Sequence, residues 1–259
     1  TPPIFRDGVG SVLVDETGKS YLDFASGSGT TALGHGHKAL LRSVREQLQT
    51  GIFHIGPHFN TSTQATLYSE LSTILPAKLC RFHPSISGSE ATEIAIKSAM
   101  HFTGAKKFVG FTGGYHGRTL GALAVSGEKG KNISLGPFYP DTKIIEFPTN
   151  GDDLTASLSE LVNEPLSGVI IEPIQATAGL KFASKQSLQE LREFANRKKI
   201  PLIFDETFTG FGRTGKIFAF EHYDIVPDMI IFGKALSVGF PAGLVVSNEE
   251  ILTHWEKGT

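Results

Sequence analysis

Beyond about residue 62, apolar positions fall into two alternating kinds of run. The windows 63–75, 89–102 and 185–199 repeat apolar residues at helical spacing. KFVGF (107–111), KIIEF (143–147), GVIIEP (168–173), PLIFDE (201–206), DMIIFG (228–233) and GLVVSN (243–248) are short apolar runs without alternation. Strands lacking a polar face are covered on both sides. The pattern therefore predicts an α/β domain whose mostly parallel central sheet carries helices on both faces. Residues 1–61 read differently. SVLVDETGKSYLDFA holds short strands with a turn signal at Thr17-Gly18, and a glycine-rich stretch then leads to an amphipathic helix at KALLRSVREQL. The expected organisation is a small N-terminal α+β segment, 1–61, followed by a large domain, 62–259. No internal repeat or low-complexity linker is visible.

Composition narrows the class of partner. The chain has 259 residues, 40% of them hydrophobic, with a formal net charge of −2. Its basic residues are scattered, so there is no electrostatic footprint for nucleic acid or an anionic membrane. No apolar stretch approaches the roughly 18 to 20 residues of a membrane span. Cys80 stands alone, which rules out an intrachain disulfide and makes a reducing, cytoplasmic setting the expectation. The chain opens on TPPIFRDG without an initiator methionine and stops at THWEKGT without a closing element, so an excerpt incomplete at its C-terminus is expected.

In an open α/β sheet, ligands sit outside the carboxyl ends of the strands. The polar residues that follow the apolar runs are Gly113, Gly114, Tyr115 and His116; Glu172 and Gln175; Asp205 and Glu206; and Lys234. A lysine at the end of a buried strand is unfavourable unless paired, neutralised or covalently occupied. Gly88 and Ser89 precede a strong helical pattern, whose exposed N–H groups suit a phosphate. Ser87 followed by Glu90 also has the spacing of an ordinary capping box, and the two readings are compatible. A lysine, an aspartate, an aromatic ring and a phosphate cradle are what a pyridoxal phosphate site requires. Lys234 would form the Schiff base, Asp205 would pair with the pyridine nitrogen and Tyr115 would stack on the ring. Taken singly, each has a bland alternative: a solvated lysine, a turn-starting Asp-Glu, a tight turn with core aromatics. Their joint order favours the cofactor. No strand is followed by G-x-G-x-x-G, so a dinucleotide-binding reading is weaker.

Four stretches, SGSEATEIAIKSA, GYHGRTLGALAVSG, IIEPIQATAGL and LIFDETFTGFGRTGKIFAFEHYDIVPDMIIFGKALSVGFPAG, resemble the class III pyridoxal-phosphate aminotransferases, the group that includes ornithine, acetylornithine, 4-aminobutyrate and diaminopelargonate aminotransferases. The similarity runs from GSVLVDETGKSYLDFASGSG through ALGHGHKAL to the end of the chain. It implies a fold-type I pyridoxal-phosphate enzyme, a ping-pong transfer of an amino group from an amine or ω-amino compound to a keto acid or aldehyde, and a homodimer with a shared active site. Carried over by position, Lys234 would be the Schiff-base lysine and proton shuttle, Asp205 the pyridine-nitrogen partner, Tyr115 the stacking residue and Gly88 with Ser89 the phosphate cradle. Thr207 would lie on the ring face opposite Tyr115, Glu172 and His116 are counted among the cofactor-binding residues, and His116 with Arg118 matches the family motif in a supporting role in the loop. Gly-His-Gly-His at 34–37 matches the family's small-domain motif, so no metal is expected there.

The departures are specific. Many members read Asp-Glu-Val-Gln, with the glutamine near the cofactor's phenolic oxygen; here Phe208 takes that place. A glutamate two residues after the glutamine of Glu-Pro-x-Gln pairs with an arginine in ornithine and 4-aminobutyrate enzymes; here it is Thr177. SGSGTT replaces the more usual glycine-isoleucine pattern in the small domain. An aminomutase or racemase using the same cofactor, or a non-catalytic relative acting as an interaction module, are the alternatives this sequence leaves open.

Overall fold

The computed structural model describes residues 2–53, 55, 59–127, 136–149 and 154–253. Its strands are β1 (Phe5–Val9), β2 (Val12–Asp15), β3 (Ser20–Leu22), β4 (Arg81–Ser85), β5 (Lys107–Phe111), β6 (Asp141–Ile145), β7 (Gly168–Ile171), β8 (Ile174–Gln175), β9 (Lys181–Phe182), β10 (Leu202–Asp205), β11 (Met229–Phe232) and β12 (Gly243–Ser247). Its helices are α1 (Ser26–Gly29), a single turn in which Gly27 and Ser28 are left-handed, α2 (Lys38–Thr50), α3 (Ser62–Ile74), α4 (Gly88–Thr103), α5 (Leu120–Val125), α6 (Thr155–Ser159), α7 (Lys185–Lys198) and α8 (Glu249–Thr253). Two compact units result. One is Thr1–Ile74 with Ser237–Phe240, the other Leu75–Leu236 with Pro241–Thr259, so the division falls after α3.

In the first unit, β1, β2 and β3 form an antiparallel meander. Asp15 closes its turn by accepting hydrogen bonds from Thr17 N, Thr17 Oγ1 and Lys19 N on one oxygen and from Tyr21 Oη on the other. Of the Gly-His-Gly-His stretch, His35 Nε2 lies 2.7 Å from Asp23 Oδ2, and His37 occupies the N-cap position of α2.

The second unit is built on a seven-stranded sheet of order β4-β12-β11-β10-β7-β5-β6. β12 pairs antiparallel with both neighbours, and every other pairing is parallel. The apolar runs give the central strands β5, β7, β10, β11 and β12, of which β7, β10, β11 and β12 are buried at every residue, while KIIEF overlaps the edge strand β6, whose exposure alternates. On one face Ala91, Ala95 and Ala99 of α4, spaced by four, pack with Ile94 against Ile170, Ile203, Ile231 and Val245. Small side chains at that spacing let the helix lie close to the sheet. α7 packs on β7 and β10 outside that cluster, burying Leu188, Leu191 and Phe194.

Caps define these helices. Ser87 Oγ accepts from Glu90 N at the start of α4, and the left-handed Gly104 (φ 70°) ends it. β4, absent from the sequence expectation, is an edge strand whose Pro84 removes a donor that a central strand would need. Among the described residues, no helix is long and apolar enough to cross a membrane.

Candidate functional site

Register brings the strand ends to one level. Phe204 stands opposite Ile171 of β7, and Asp205 opposite Ile231 of β11, so the chain leaves these three neighbouring strands side by side. Adjacent strands lie about 4.8 Å apart, close enough for the residues that follow them to share one crevice. Glu172 follows β7, Asp205 closes β10, and Gly233 and Lys234 follow β11, while the loop 112–119 leaves β5.

Asp205 is 4% exposed and lies at the centre of a buried polar network. One oxygen accepts from Thr207 N at 2.9 Å, and the other meets His116 Nδ1 at 2.8 Å. Burial pushes the Asp205 carboxyl up, but the His116 hydrogen bond and charge with the Thr207 bonds outweigh it and hold the group below its ordinary range. The same pairing acts on His116, which is 3% exposed. Burial alone would lower that imidazole, yet Asp205 and the charge of Glu172 raise it. Each of the two buried side chains therefore favours the charged form of the other.

Glu172 borders this network and accepts from Tyr115 N at 2.9 Å. Burial first, then the nearby Asp205 charge, raise its carboxyl to about 7 against the attraction of His116, the Tyr115 N–H and Lys234. Tyr115 Oη in turn accepts from Arg118 Nε at 3.2 Å.

Gly88, Thr207 and Gly233 converge at the start of α4. A Cβ on either glycine would sit 3.1 Å from Thr207 Cγ2, so both positions keep room that a side chain would fill. Ser89 Oγ accepts from Arg118 N at 3.2 Å. Gly117, with φ 132°, passes so close that a Cβ there would meet Ser89 Oγ at 2.4 Å. Ser87, Glu90 and Ile86 close the helix end: Glu90 Oε2 accepts from Ile86 N, one residue before the cap.

Lys234 begins a single 3-10 turn, Lys234–Ser237, with φ 42° in the left-handed region that L side chains seldom adopt. Burial lowers its amine, with Arg213 adding to the effect and the charges of Asp205 and Glu172 opposing it. Its Nζ lies 4.4 Å from the centroid of the Phe208 ring.

Two strand-end residues belong to the frame. Glu206, 1% exposed, accepts from Ala219 N (2.7 Å), Phe220 N (2.8 Å) and Thr209 Oγ1 (3.2 Å), pinning the segment that returns over Phe218 and Phe232. Burial raises its carboxyl to about 7 against those donors. Gln175 is fully buried and donates from Nε2 to Thr112 O at 2.9 Å, tying β8 to the end of β5. Thr177 lines a separate hollow of about 320 Å³ with Thr112, Gly113, Glu146, Ala178 and Lys181. Sequence order alone gave no sign of the Phe208–Lys234 contact or of His116 bonding to Asp205, because each joins segments far apart in the chain.

These residues supply an amine, a carboxylate and a helix N-terminus, the groups that a pyridoxal phosphate site requires. The amine follows β11, the buried carboxylate, held below its ordinary range, closes β10, and the Ser87-capped N-terminus of α4 meets Thr207 and Gly233.

Comparison with known proteins agrees. The family model described as aminotransferase class-III matches residues 2–259. Acetylornithine aminotransferase of Archaeoglobus fulgidus is 39% identical over 248 residues, covering 96% of this chain and 64% of the relative. That of Methanopyrus kandleri is 34% identical over 257 residues, covering 99% and 64%. The chain thus spans about 64% of the length of these curated relatives. Among solved structures, ornithine aminotransferase of Toxoplasma gondii, with PLP at partial occupancy in its active site, superposes with a TM-score of 0.90 at 25% identity, covering 100% of this chain and 62% of that one.

Proposed function

Because the chain belongs to the class III aminotransferase family, we propose that the protein of which it forms part transfers an amino group from an amine or ω-amino compound to a keto acid or aldehyde, using pyridoxal phosphate. The observation that carries this reading is the placement of Lys234 and Asp205 at adjacent strand ends, one with its amine lowered by burial and the other kept ionised by His116. When bound, pyridoxal phosphate supplies an electron sink for a donor carbon that has lost its proton.

The chain's own residues divide the remaining work. Lys234 Nζ would supply the amine that holds the cofactor and the base that moves a proton at the donor carbon. A lowered ammonium pKa suits that work, because a general base acts best when its pKa is near the working pH. Asp205 would pair with the cofactor's ring nitrogen, and His116 favours the ionised form of Asp205. The amides at Gly88 and Ser89 receive the phosphate at the positive end of α4. Tyr115, held through its own N–H by Glu172, supplies an aromatic face, and Thr207 lies beside the phosphate cradle. His116 acts through Asp205 and is a positioning residue.

Thr177 carries no charge where ornithine and 4-aminobutyrate enzymes have a glutamate, which favours an amine or uncommon amino donor over ornithine. We read the complete protein as a cytoplasmic homodimer whose subunits share the active site, with the 62–259 region as its cofactor-binding domain. The test is the near-visible spectrum of the full-length protein with a panel of amines. A band bleached by one donor and restored by a keto acid supports transamination; product formed without an acceptor supports an isomerase; and no band after incubation with pyridoxal phosphate rejects the cofactor.

A further inference from the structure

Phe208 stands at the residue position where a glutamine is usual in the resembled family, and its ring carries two cations. Lys234 Nζ lies 4.4 Å from its centroid and Arg213 Cζ 4.9 Å. Both distances are within the range of about 6 Å over which an aromatic face attracts a cation. Among the described residues, the ring is the direct partner of Lys234 Nζ, to which no hydrogen bond or ion pair is made. Asp205 and Glu172 act on the amine through their charges, and His116 faces those two carboxylates rather than the lysine. An amide at position 208 would offer donors and an acceptor. A phenyl ring offers neither, and attracts the ammonium while leaving the neutral amine almost untouched.

We propose that Phe208 is a positioning residue for Lys234, its ring face holding the ammonium in the crevice and placing Arg213 against the same ring. The inference rests on Lys234 being the reactive lysine. The ring favours the protonated amine, whereas Arg213 disfavours it by charge, so the two have opposite effects on when the amine becomes a nucleophile. Phe208 therefore sets the balance between a parked ammonium and a reactive amine.

The test uses full-length protein purified free of cofactor, with fluorinated phenylalanines at position 208. Progressive fluorination drains the ring face of negative charge while nearly preserving its shape. The readout is the pH dependence of Lys234 acetylation by acetic anhydride, followed on the Lys234 peptide by mass spectrometry against surface lysines. The midpoint is expected to move to lower pH with each added fluorine, giving roughly a two- to fivefold larger neutral fraction near neutral pH for the most fluorinated ring. Arg213→Gln is expected to move it the opposite way. Phe208→Leu, which keeps apolar bulk without a ring, should match the most fluorinated protein. A midpoint indifferent to fluorination overturns the proposal. Absorbance after adding pyridoxal phosphate to the same samples reports separately on the cofactor, so a failed cofactor assignment and a failed role for Phe208 give different results.

Discussion

His116 Nδ1 and Asp205 Oδ2 lie 2.8 Å apart in a place where both residues are almost wholly buried. In the proposed role beside a positive ring nitrogen, the Asp205 carboxylate must stay ionised in surroundings that favour its neutral form. His116 opposes that tendency by its hydrogen bond and charge.

Removing that partner should be costly. His116→Ala leaves the Asp205 charge buried with the Thr207 amide, and breaking a buried pair in this way typically costs about 3–5 kcal/mol. Urea unfolding should show the loss. The variant's Asp205 should titrate at a higher pH than in the parent, and affinity for pyridoxal phosphate should fall with it.

Stability should decline from mildly acidic to mildly alkaline pH. His116 is raised in the folded state, so its contribution is complete below about 6.5 and is lost as pH climbs through its folded pKa. Glu172 and Glu206, raised to about 7, act in the same direction: their contribution is complete below about 4.3 and disappears as pH rises through about 7. Asp205 is depressed, so its share is present above about 3.9 and lost on further acidification. These groups together should make the urea midpoint higher at pH 5.5 than at pH 8, against the opposite contribution of His83, whose imidazole burial lowers; a rise over that interval would contradict this assignment of charges.

Glu206 is expected to matter for folding more than for chemistry. Glu206→Gln turns one acceptor toward the Ala219 and Phe220 amides into a donor, at a cost of about 1–3 kcal/mol. Cofactor affinity, measured by absorbance titration on the folded variant, should remain within a few-fold of the parent. The pH slope of its stability should also be shallower, since one titrating group is gone.

Gly88→Ala places a methyl 3.1 Å from Thr207 Cγ2 at the phosphate end of the crevice. Helix propensity favours alanine there by up to about 1 kcal/mol. The variant should hold its thermal stability while binding pyridoxal phosphate about tenfold more weakly, on the order of 1.4 kcal/mol.

The central sheet was legible because its strands are buried on both faces. LIF, MIIF and GVII hold no polar residue, and each strand lies within the run expected from the pattern. The polar residues at or just past the ends of those strands, Glu172, Asp205 and Lys234, could be picked out because parallel strands deliver them to one edge of the sheet. β4 was hidden by Arg81, His83 and Pro84, which an edge strand tolerates, and the antiparallel β12 between β4 and β11 is a matter of topology that no local pattern encodes. Glu206 was a strand-end candidate equal to Asp205 in sequence. Successive strand residues point to opposite faces, and the structure shows Glu206 holding the Ala219–Phe220 amides instead of joining the His116 network.

Lys234 is the residue on which the account depends, and borohydride reduction of the full-length protein with pyridoxal phosphate tests it most directly. The account predicts that reduction fixes the cofactor to the peptide containing Lys234, and that Lys234→Ala protein retains no covalent cofactor and no turnover. Cofactor fixed to a different lysine, or full turnover by the Lys234→Ala protein, would contradict it.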